Sequence, residues 1–216
     1  MNPKQAIIGV DESGKGDFFG PLVIASFCAS ESDRSPLEGL GVRDSKLIAE
    51  KKLLGIDEKL RRDYPFEIVI IGPAKYNELH SRIRNLNKLL GWGHARAIEN
   101  LLEKCPAENA VSDKFGDPKL IENSLFEKGR TIHLEQIVRG ESIFQVAAAS
   151  ILARAAFVRQ IHLLSDKLKM TIPRGAGPQV DTAARELVRT HGPDILKEVA
   201  KIHFKNYVRV VNPSLF

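Results

Sequence analysis

The segment at 11–21, DESGKGDFFGP, carries the residue types with the clearest chemistry in this sequence. Asp11 and Glu12 are adjacent carboxylates at the end of a short apolar run, and hard divalent cations prefer such oxygen ligands. Gly14-Lys15-Gly16 follows at once, and a glycine-rich turn lets backbone amides approach an anion while the lysine adds a positive charge. The segment therefore predicts metal-dependent chemistry on a phosphodiester.

Two further acids stand in similar positions, Asp113 after a later apolar run and Glu141 before an alanine-rich stretch. Strand ends on one edge of an α/β sheet converge, so acids from separate segments can form one site. Four carboxylates gathered there would repel one another unless cations were present. We expect two Mg²⁺ or Mn²⁺ ions, which together promote in-line displacement at phosphorus. Taken singly, Asp113 or Glu141 also fits a solvated turn or a helix cap.

Two common phosphate-binding motifs are absent from the sequence. Gly14-Lys15-Gly16 does not complete the pattern G-x-x-x-x-G-K-[ST] of phosphate-loop nucleotidases. The segment 13–17, SGKGD, is not a dinucleotide fingerprint either. The sequence thus disfavours an ATPase or a dinucleotide-binding enzyme.

The pattern of apolar residues predicts an α/β fold with a mixed sheet flanked by helices and a helical carboxyl-terminal region. Strand-like runs and helix-like periodicity alternate after an initial pair of strands. The predicted strands are 6–10, 22–29, 66–71, 110–112 and 131–134; the predicted helices are 44–60, 86–102, one from about 142 and one from 181, and 31–41 is predicted to be a loop.

Composition limits the class of protein without identifying it. The 216 residues are 43% hydrophobic and 27% charged, which is typical of a globular protein, and the net charge of +5 is compatible with a polyanionic partner. Cys28 and Cys105 form no zinc pattern, and we expect two buried thiols. Residues 1–5 have no leader-like character, and no run reaches the roughly 18 apolar residues of a membrane span. We expect a cytoplasmic protein with no membrane contact.

Several motifs in order along the chain resemble those of the type 2 ribonucleases H, and ribonuclease HIII more than ribonuclease HII. The motifs are DESGKGDFFGPL at 11–22, RDSK at 43–46, NLNKLLGWGHARA at 85–97, SDKF at 112–115, ESIFQVAAASILAR at 141–154, RGAG at 174–177 and HFKN at 203–206. The resemblance implies an RNase H-like fold. It also implies endonucleolytic hydrolysis of the RNA strand of RNA/DNA hybrids, giving 5′-phosphate and 3′-hydroxyl ends.

The resemblance also assigns roles to individual residues. The four acids correspond to the catalytic, metal-binding carboxylates; they are Asp11, Glu12, Asp113 and Glu141. Gly14-Lys15-Gly16 corresponds to the loop that reads the substrate at the scissile nucleotide, where the 2′-hydroxyl distinguishes RNA from DNA. Lys46 and Ser150 fall at positions that resemble substrate-backbone contacts. The plainer alternatives are a solvated lysine at a helix start and a small packing residue.

The choice of HIII over HII rests on Gly-Lys-Gly in place of Gly-Arg-Gly, on Glu141 in place of aspartate, and on the lack of a tyrosine between Tyr76 and Tyr207. The alternatives left open are HII-like incision at a single embedded ribonucleotide and a hybrid-binding module without catalysis. We expect one catalytic domain over residues 1–216, without the amino-terminal TBP-like substrate-binding domain typical of HIII proteins, and a monomer.

Overall fold

A computed structural model describes residues 6–212. Residues 1–5, for which the sequence predicted no leader, and residues 213–216 lie outside this range. A five-stranded sheet has the strand order β3-β2-β1-β4-β5, in which β1 pairs with β4 and β4 with β5 in parallel. The strands are β1 Ala6–Ser13, β2 Leu22–Ser30, β3 Phe66–Ile71, β4 Asn109–Asp113 and β5 His133–Ile137.

Helices supply the rest of the regular structure in the described range. The α-helices are α1 Arg34–Leu40, α2 Glu50–Asp63, α3 Pro73–Ile83, α4 Leu86–Leu102, α5 Lys119–Glu122, α6 Phe144–Leu168, α7 Pro178–His191, α8 Ile195–Val199 and α9 Lys205–Val211. Short 3₁₀ helices lie at Glu31–Asp33, Ser45–Leu47, Gly129–Thr131 and Gly140–Ser142. The predicted α/β fold with flanking helices is confirmed.

The described residues divide into two compact units. The first contains residues 6–12, 23–69 and 85–155, and the second contains residues 13–22, 70–84 and 156–212. All four predicted catalytic acids belong to the first unit, whereas Gly14-Lys15-Gly16 belongs to the second. One catalytic domain over 1–216, without a TBP-like domain, stays a prediction.

The sheet and the start of α6 pack closely within the first unit. Every residue of β2 is buried, as expected for a strand covered on both faces. Gly9 of β1 faces the α6 backbone, and a Cβ atom there would lie 2.1 Å from the carbonyl carbon of Gln145. Ala147 to Ala149 on α6 are at most 1% exposed, because small side chains permit this close approach. The middle of β1 is thereby held against α6.

Helix α6 is long and apolar enough to cross a membrane by length and composition alone, although the sequence predicted no such run. Its alanine and leucine content outweighs its scattered polar residues. However, 67% of its apolar stretch is buried in the protein. The buried core helix of a globular protein passes the same test, so α6 is weak support for a membrane contact.

Two local predictions were wrong, and one helix was not predicted. Residues 31–41 form a 3₁₀ turn and α1 rather than a loop, and Ser30 and Asp33 complete a capping box at the start of the 3₁₀ turn. Asp44 caps only a 3₁₀ turn, and α2 begins later, at Glu50. Helix α3 was not predicted, although Pro73 occupies its first turn, a position that proline favours.

The prediction of two free thiols was also wrong. Cys28 and Cys105 are buried, as expected, but they form a disulfide. Cys28 lies on β2 and Cys105 follows α4, and their Cα atoms are 6.7 Å apart. This separation lies within the range that a disulfide spans. The sequence could not reveal the bond, because 77 positions separate the two cysteines.

Candidate active site

The carboxyl ends of β1 and β4 bring two of the predicted acids to neighbouring positions. In the parallel register, Val10 pairs with Ser112, so Asp11 and Asp113 are the next residues on their strands. Both are partly buried. The convergence expected from strand ends is therefore present in the backbone of the first unit.

Asp113 is fixed to the turn that carries Glu141. Its Oδ1 accepts a hydrogen bond from the backbone N–H of Gly140 at 2.8 Å. A Cβ atom on residue 140 would lie 2.9 Å from Cα of Asp113, so this close approach requires glycine. Glu141 follows directly in the 3₁₀ turn Gly140–Ser142 and is partly buried. The turn thus brings the backbone at Glu141 to the end of β4.

Glu12 is held by a histidine from α4. His94 Nε2 lies 3.0 Å from Glu12 Oε2, with the two side chains 0% and 4% exposed. On the other side of the ring, Nδ1 lies 3.3 Å from Ser112 Oγ. Because Ser112 gives its hydroxyl proton to the carbonyl oxygen of Asp113, it accepts from Nδ1–H. Both ring nitrogens therefore face oxygen atoms, and the ring is held between Glu12 and Ser112.

Asp11 is the acid whose ionisation the fold disfavours most clearly. Burial, followed by the neighbouring charge of Glu12, raises the pKa of Asp11 to about 7. Hydrogen bonds from the Ser150 hydroxyl and the Glu12 backbone N–H act against this rise. Ser150 Oγ also lies 2.9 Å from Ser45 Oγ. A serine pair therefore orients this carboxylate.

The donor set suits a hard divalent cation by its chemistry. Burial and mutual repulsion of Asp11 and Glu12 create a local need for positive charge. Within residues 6–212, however, no three His, Cys, Asp or Glu side chains are grouped closely enough to hold a metal ion as they stand. Asp113 is turned toward Gly140, and Glu12 toward His94. The ligand role of the four acids stays a prediction.

The remaining predicted residues lie in different surroundings. Lys46 is exposed in the 3₁₀ turn Ser45–Leu47. Ser150 lies in α6, and its hydroxyl is hydrogen-bonded to the Asp11 carboxylate. In the second unit, Gly14 is buried with φ of +88°, and a Cβ atom there would lie 2.3 Å from the carbonyl oxygen of Pro21. Lys15 and Gly16 are exposed, and a Cβ on Gly16 would meet nothing within 4 Å. The fold therefore requires glycine at 14 but not at 16.

The side chains that hold the predicted acids in place were not predicted from the sequence. His94, Ser112 and Ser45 stood only within the motifs at 85–97, 112–115 and 43–46, with no partner predicted for their side chains. A signal was available for His94, which shares a buried α4 stripe with Leu90 and Leu101. A histidine inside such an apolar stripe needs a polar partner. The sequence could not say which acid supplies it.

Comparison with known proteins gives consistent matches. The family model described as Ribonuclease HII matches residues 8–207. Ribonuclease HIII of Protochlamydia amoebophila (strain UWE25) is 40% identical over 198 residues, which cover 92% of this chain and 66% of that protein. Ribonuclease HIII of Chlamydia pneumoniae is 42% identical over 204 residues, which cover 93% of this chain and 68% of that protein. The chain spans about two thirds of the length of these relatives.

Solved structures agree with these matches. The crystal structure of Bst-RNase HIII in complex with Mn²⁺ superposes with a TM-score of 0.89 at 29% identity, covering 99% of this chain and 71% of that one. Ribonuclease H2 from Pyrococcus horikoshii OT3 has a TM-score of 0.80 at 23% identity, covering 95% of this chain and 96% of that one. At this identity, the likeness supports the fold alone. Fold and matches together define a nuclease that hydrolyses phosphodiester bonds. The chain belongs to the ribonuclease HII family, and the relatives and the Mn²⁺ complex named above are ribonucleases HIII.

Proposed function

We propose that this protein is a metal-dependent endoribonuclease that hydrolyses the RNA strand of RNA/DNA hybrids and leaves 5′-phosphate and 3′-hydroxyl ends. One observation carries the proposal. Asp11-Glu12 and Asp113 lie at the neighbouring carboxyl ends of parallel β1 and β4, and the turn bearing Glu141 is hydrogen-bonded to Asp113. Carboxylates in this arrangement are typical of nucleases that use divalent ions.

The four acids would hold two Mg²⁺ or Mn²⁺ ions; they are Asp11, Glu12, Asp113 and Glu141. When bound, such ions activate the attacking water and stabilise the leaving 3′-oxygen. His94 orients Glu12, and Ser150 orients Asp11. Asp11 must give up its proton to act as a ligand, since burial holds its pKa near neutrality. The protein thus supplies position and negative charge.

The substrate contacts are proposed for Gly14-Lys15-Gly16, Lys46 and Ser150. The loop begins two residues after Glu12 in the chain, and its exposed Lys15 and Gly16 suit close approach to a sugar and phosphate. A 2′-hydroxyl read at this loop would select RNA over DNA. Lys46 is exposed and can pair with a phosphate, whereas Ser150 would act while bonded to Asp11.

The test is cleavage of an all-RNA strand in an RNA/DNA hybrid with Mg²⁺ or Mn²⁺ and after chelation by EDTA. Asp113→Asn keeps the shape of the side chain but weakens its ligand oxygen, so cleavage is expected to fall at least about 10³-fold while hybrid binding persists. Asp166→Asn, at an exposed position on α6, is the matched control and is expected to cleave normally. A fully active Asp113→Asn enzyme would contradict the proposal.

The same assay separates the alternatives. A duplex with one embedded ribonucleotide measures HII-like incision, and strong cutting 5′ of that ribonucleotide would favour it over HIII-type activity. A protein that binds the hybrid and shows no metal-dependent hydrolysis would be a binding module. The proposal also includes a monomeric, cytoplasmic protein without membrane contact. Light scattering after gel filtration measures the mass, and cell fractionation tests the location.

A further inference from the structure

Lys201 in the second unit is a buried lysine whose side-chain amine donates to two backbone carbonyls. It is 0% exposed, and its Nζ donates to the carbonyl oxygens of Asp17 at 2.8 Å and Gly20 at 2.7 Å. These two carbonyls belong to the segment that continues directly from Gly14-Lys15-Gly16. Lys201 therefore bridges both ends of the turn Asp17–Gly20.

The same turn is tied down by backbone contacts from two other segments. Gly175 donates its N–H to Asp17 Oδ1 at 2.6 Å, and its carbonyl accepts from the N–H of Phe18 at 2.9 Å. The N–H of Lys201 donates to the carbonyl of Phe18 at 2.8 Å, and Gly20 donates to Val199 at 3.0 Å. None of these bonds uses the carbonyl oxygens of Asp17 and Gly20. The side chain of Lys201 donates to both of them.

Packing alone does not account for a lysine at this position. A buried amine is costly unless its donors are satisfied, whereas an apolar side chain would fill the same volume without that cost. Burial lowers the pKa of Lys201 to about 7. A neutral amine still carries two N–H groups, one for each carbonyl, so loss of the proton does not break the bridge. What an apolar replacement cannot supply is the pair of donors.

We propose that Lys201 is a positioning residue for substrate recognition: it fixes the turn Asp17–Gly20 and thereby the conformation in which Gly14-Lys15-Gly16 meets the ribose and phosphate of the substrate. The proposal rests on the proposed function of that loop. Lys201 itself touches no substrate. Its effect is on the shape of the loop, and therefore on substrate affinity.

The experiment compares Lys201→Met with the wild type and with Lys197→Met. The control removes an exposed lysine, four residues earlier, that pairs only with Asp194 among the described ion pairs. Kinetics use an RNA/DNA hybrid at saturating Mn²⁺, well below each protein's melting temperature. For Lys201→Met we expect KM to rise about tenfold with a smaller change in kcat, because the loop loses its binding conformation. For Lys197→Met both constants are expected to match the wild type.

The split between KM and kcat separates positioning from stability. A purely structural role would reduce the fraction of folded enzyme and lower the apparent kcat while KM stays constant. Lys201→Met with a KM within about twofold of the wild type would overturn the proposal. If this variant does not unfold cooperatively, Lys201→Leu, which also removes both donors, takes its place under the same criterion.

Hydrogen exchange of the peptide 14–21 gives a readout without catalysis. We expect faster exchange in Lys201→Met than in the wild type, with β2 unchanged. Equal exchange in this peptide would overturn the proposal. An inactive wild-type protein would contradict the proposed function, and exchange would then decide the role of Lys201 by itself.

Discussion

His94 Nε2 lies 3.0 Å from Glu12 Oε2, and both side chains are almost fully buried. This pair joins the middle of α4 to the end of β1. Ser112 lies at the other ring nitrogen, one residue before Asp113, so a single imidazole connects the segments that carry two predicted metal ligands. We regard His94 as a positioning residue for Glu12.

Replacing His94 by Ala is expected to weaken Mn²⁺ affinity or cleavage by about 10- to 100-fold, the usual effect of losing the partner of a metal ligand. The physical reason is that Glu12 loses the donor that fixes its orientation. Calorimetric titration of Mn²⁺ and hybrid cleavage as a function of Mn²⁺ concentration measure the effect. His191→Ala, at an exposed site at the end of α7, is the control and should change neither quantity. Normal Mn²⁺ affinity and activity in His94→Ala would refute this role.

Asp11 makes the stability of the metal-free protein depend on pH. Burial and Glu12 raise its pKa from 3.8 to about 7, so the folded protein binds more protons than the unfolded chain between these values. The stabilising effect of the protonated acid is complete below pH 3.8 and is lost as pH rises through about 7.

Asp11→Asn cannot ionise and should escape this loss. In EDTA at pH 8 we expect the free energy of unfolding of Asp11→Asn to exceed that of the wild type by at least about 1 kcal/mol. This corresponds to roughly 2–4 °C in melting temperature. Saturating Mn²⁺ should reverse the order, because the amide is a poorer ligand. Thermal denaturation from pH 4 to 8, with Asp166→Asn as control, measures both effects. A lower stability of Asp11→Asn in EDTA at pH 8 would show that the charge on Asp11 is not destabilising.

The two glycines beside Lys15 should respond differently to alanine. Gly14→Ala places a Cβ 2.3 Å from the Pro21 carbonyl at a φ of +88°, so we expect a loss of about 1–3 kcal/mol in stability. Gly16→Ala meets no atom within 4 Å, so its stability should stay within about 0.5 kcal/mol of the wild type.

If the backbone at Gly16 approaches the substrate, Gly16→Ala should nevertheless lower kcat/KM for the hybrid about tenfold or more. Gly39→Ala is the control, since Gly39 is exposed on α1 and a Cβ atom there would also meet nothing within 4 Å. Urea denaturation and hybrid cleavage separate the two effects. Unchanged cleavage by Gly16→Ala would remove Gly16 from the substrate-binding residues.

The Cys28–Cys105 disulfide should contribute to stability. Reduction is expected to lower the free energy of unfolding by about 2–4 kcal/mol, because the unfolded chain regains freedom. The double variant Cys28→Ala/Cys105→Ala should be insensitive to reductant, which makes it the control. Thermal melts with and without dithiothreitol provide the measurement. Alkylation of both thiols in the denatured, unreduced protein would show that the bond does not form.

Strands and helices with clear periodicity were predictable from the sequence. The strand at Phe66–Ile71 has its predicted bounds, and α4 was recognised from its repeating leucines. Helix α1 was missed because its short, polar sequence carries no apolar stripe, and the capping box of Ser30 and Asp33 belongs to the 3₁₀ turn before it. Local capping bonds of this kind are weakly visible in composition.

The sequence by itself determined the adjacent acids Asp11-Glu12, the glycine-rich loop after them and the order of motifs that mark the family. These features lie within short stretches of chain, where spacing alone specifies which groups are neighbours. Only the tertiary structure decided that His94 holds Glu12, that Ser150 reaches Asp11 and that Lys201 bridges Asp17 and Gly20. Each of these contacts joins residues more than 80 positions apart, so it depends on how strands and helices pack, which no local pattern encodes.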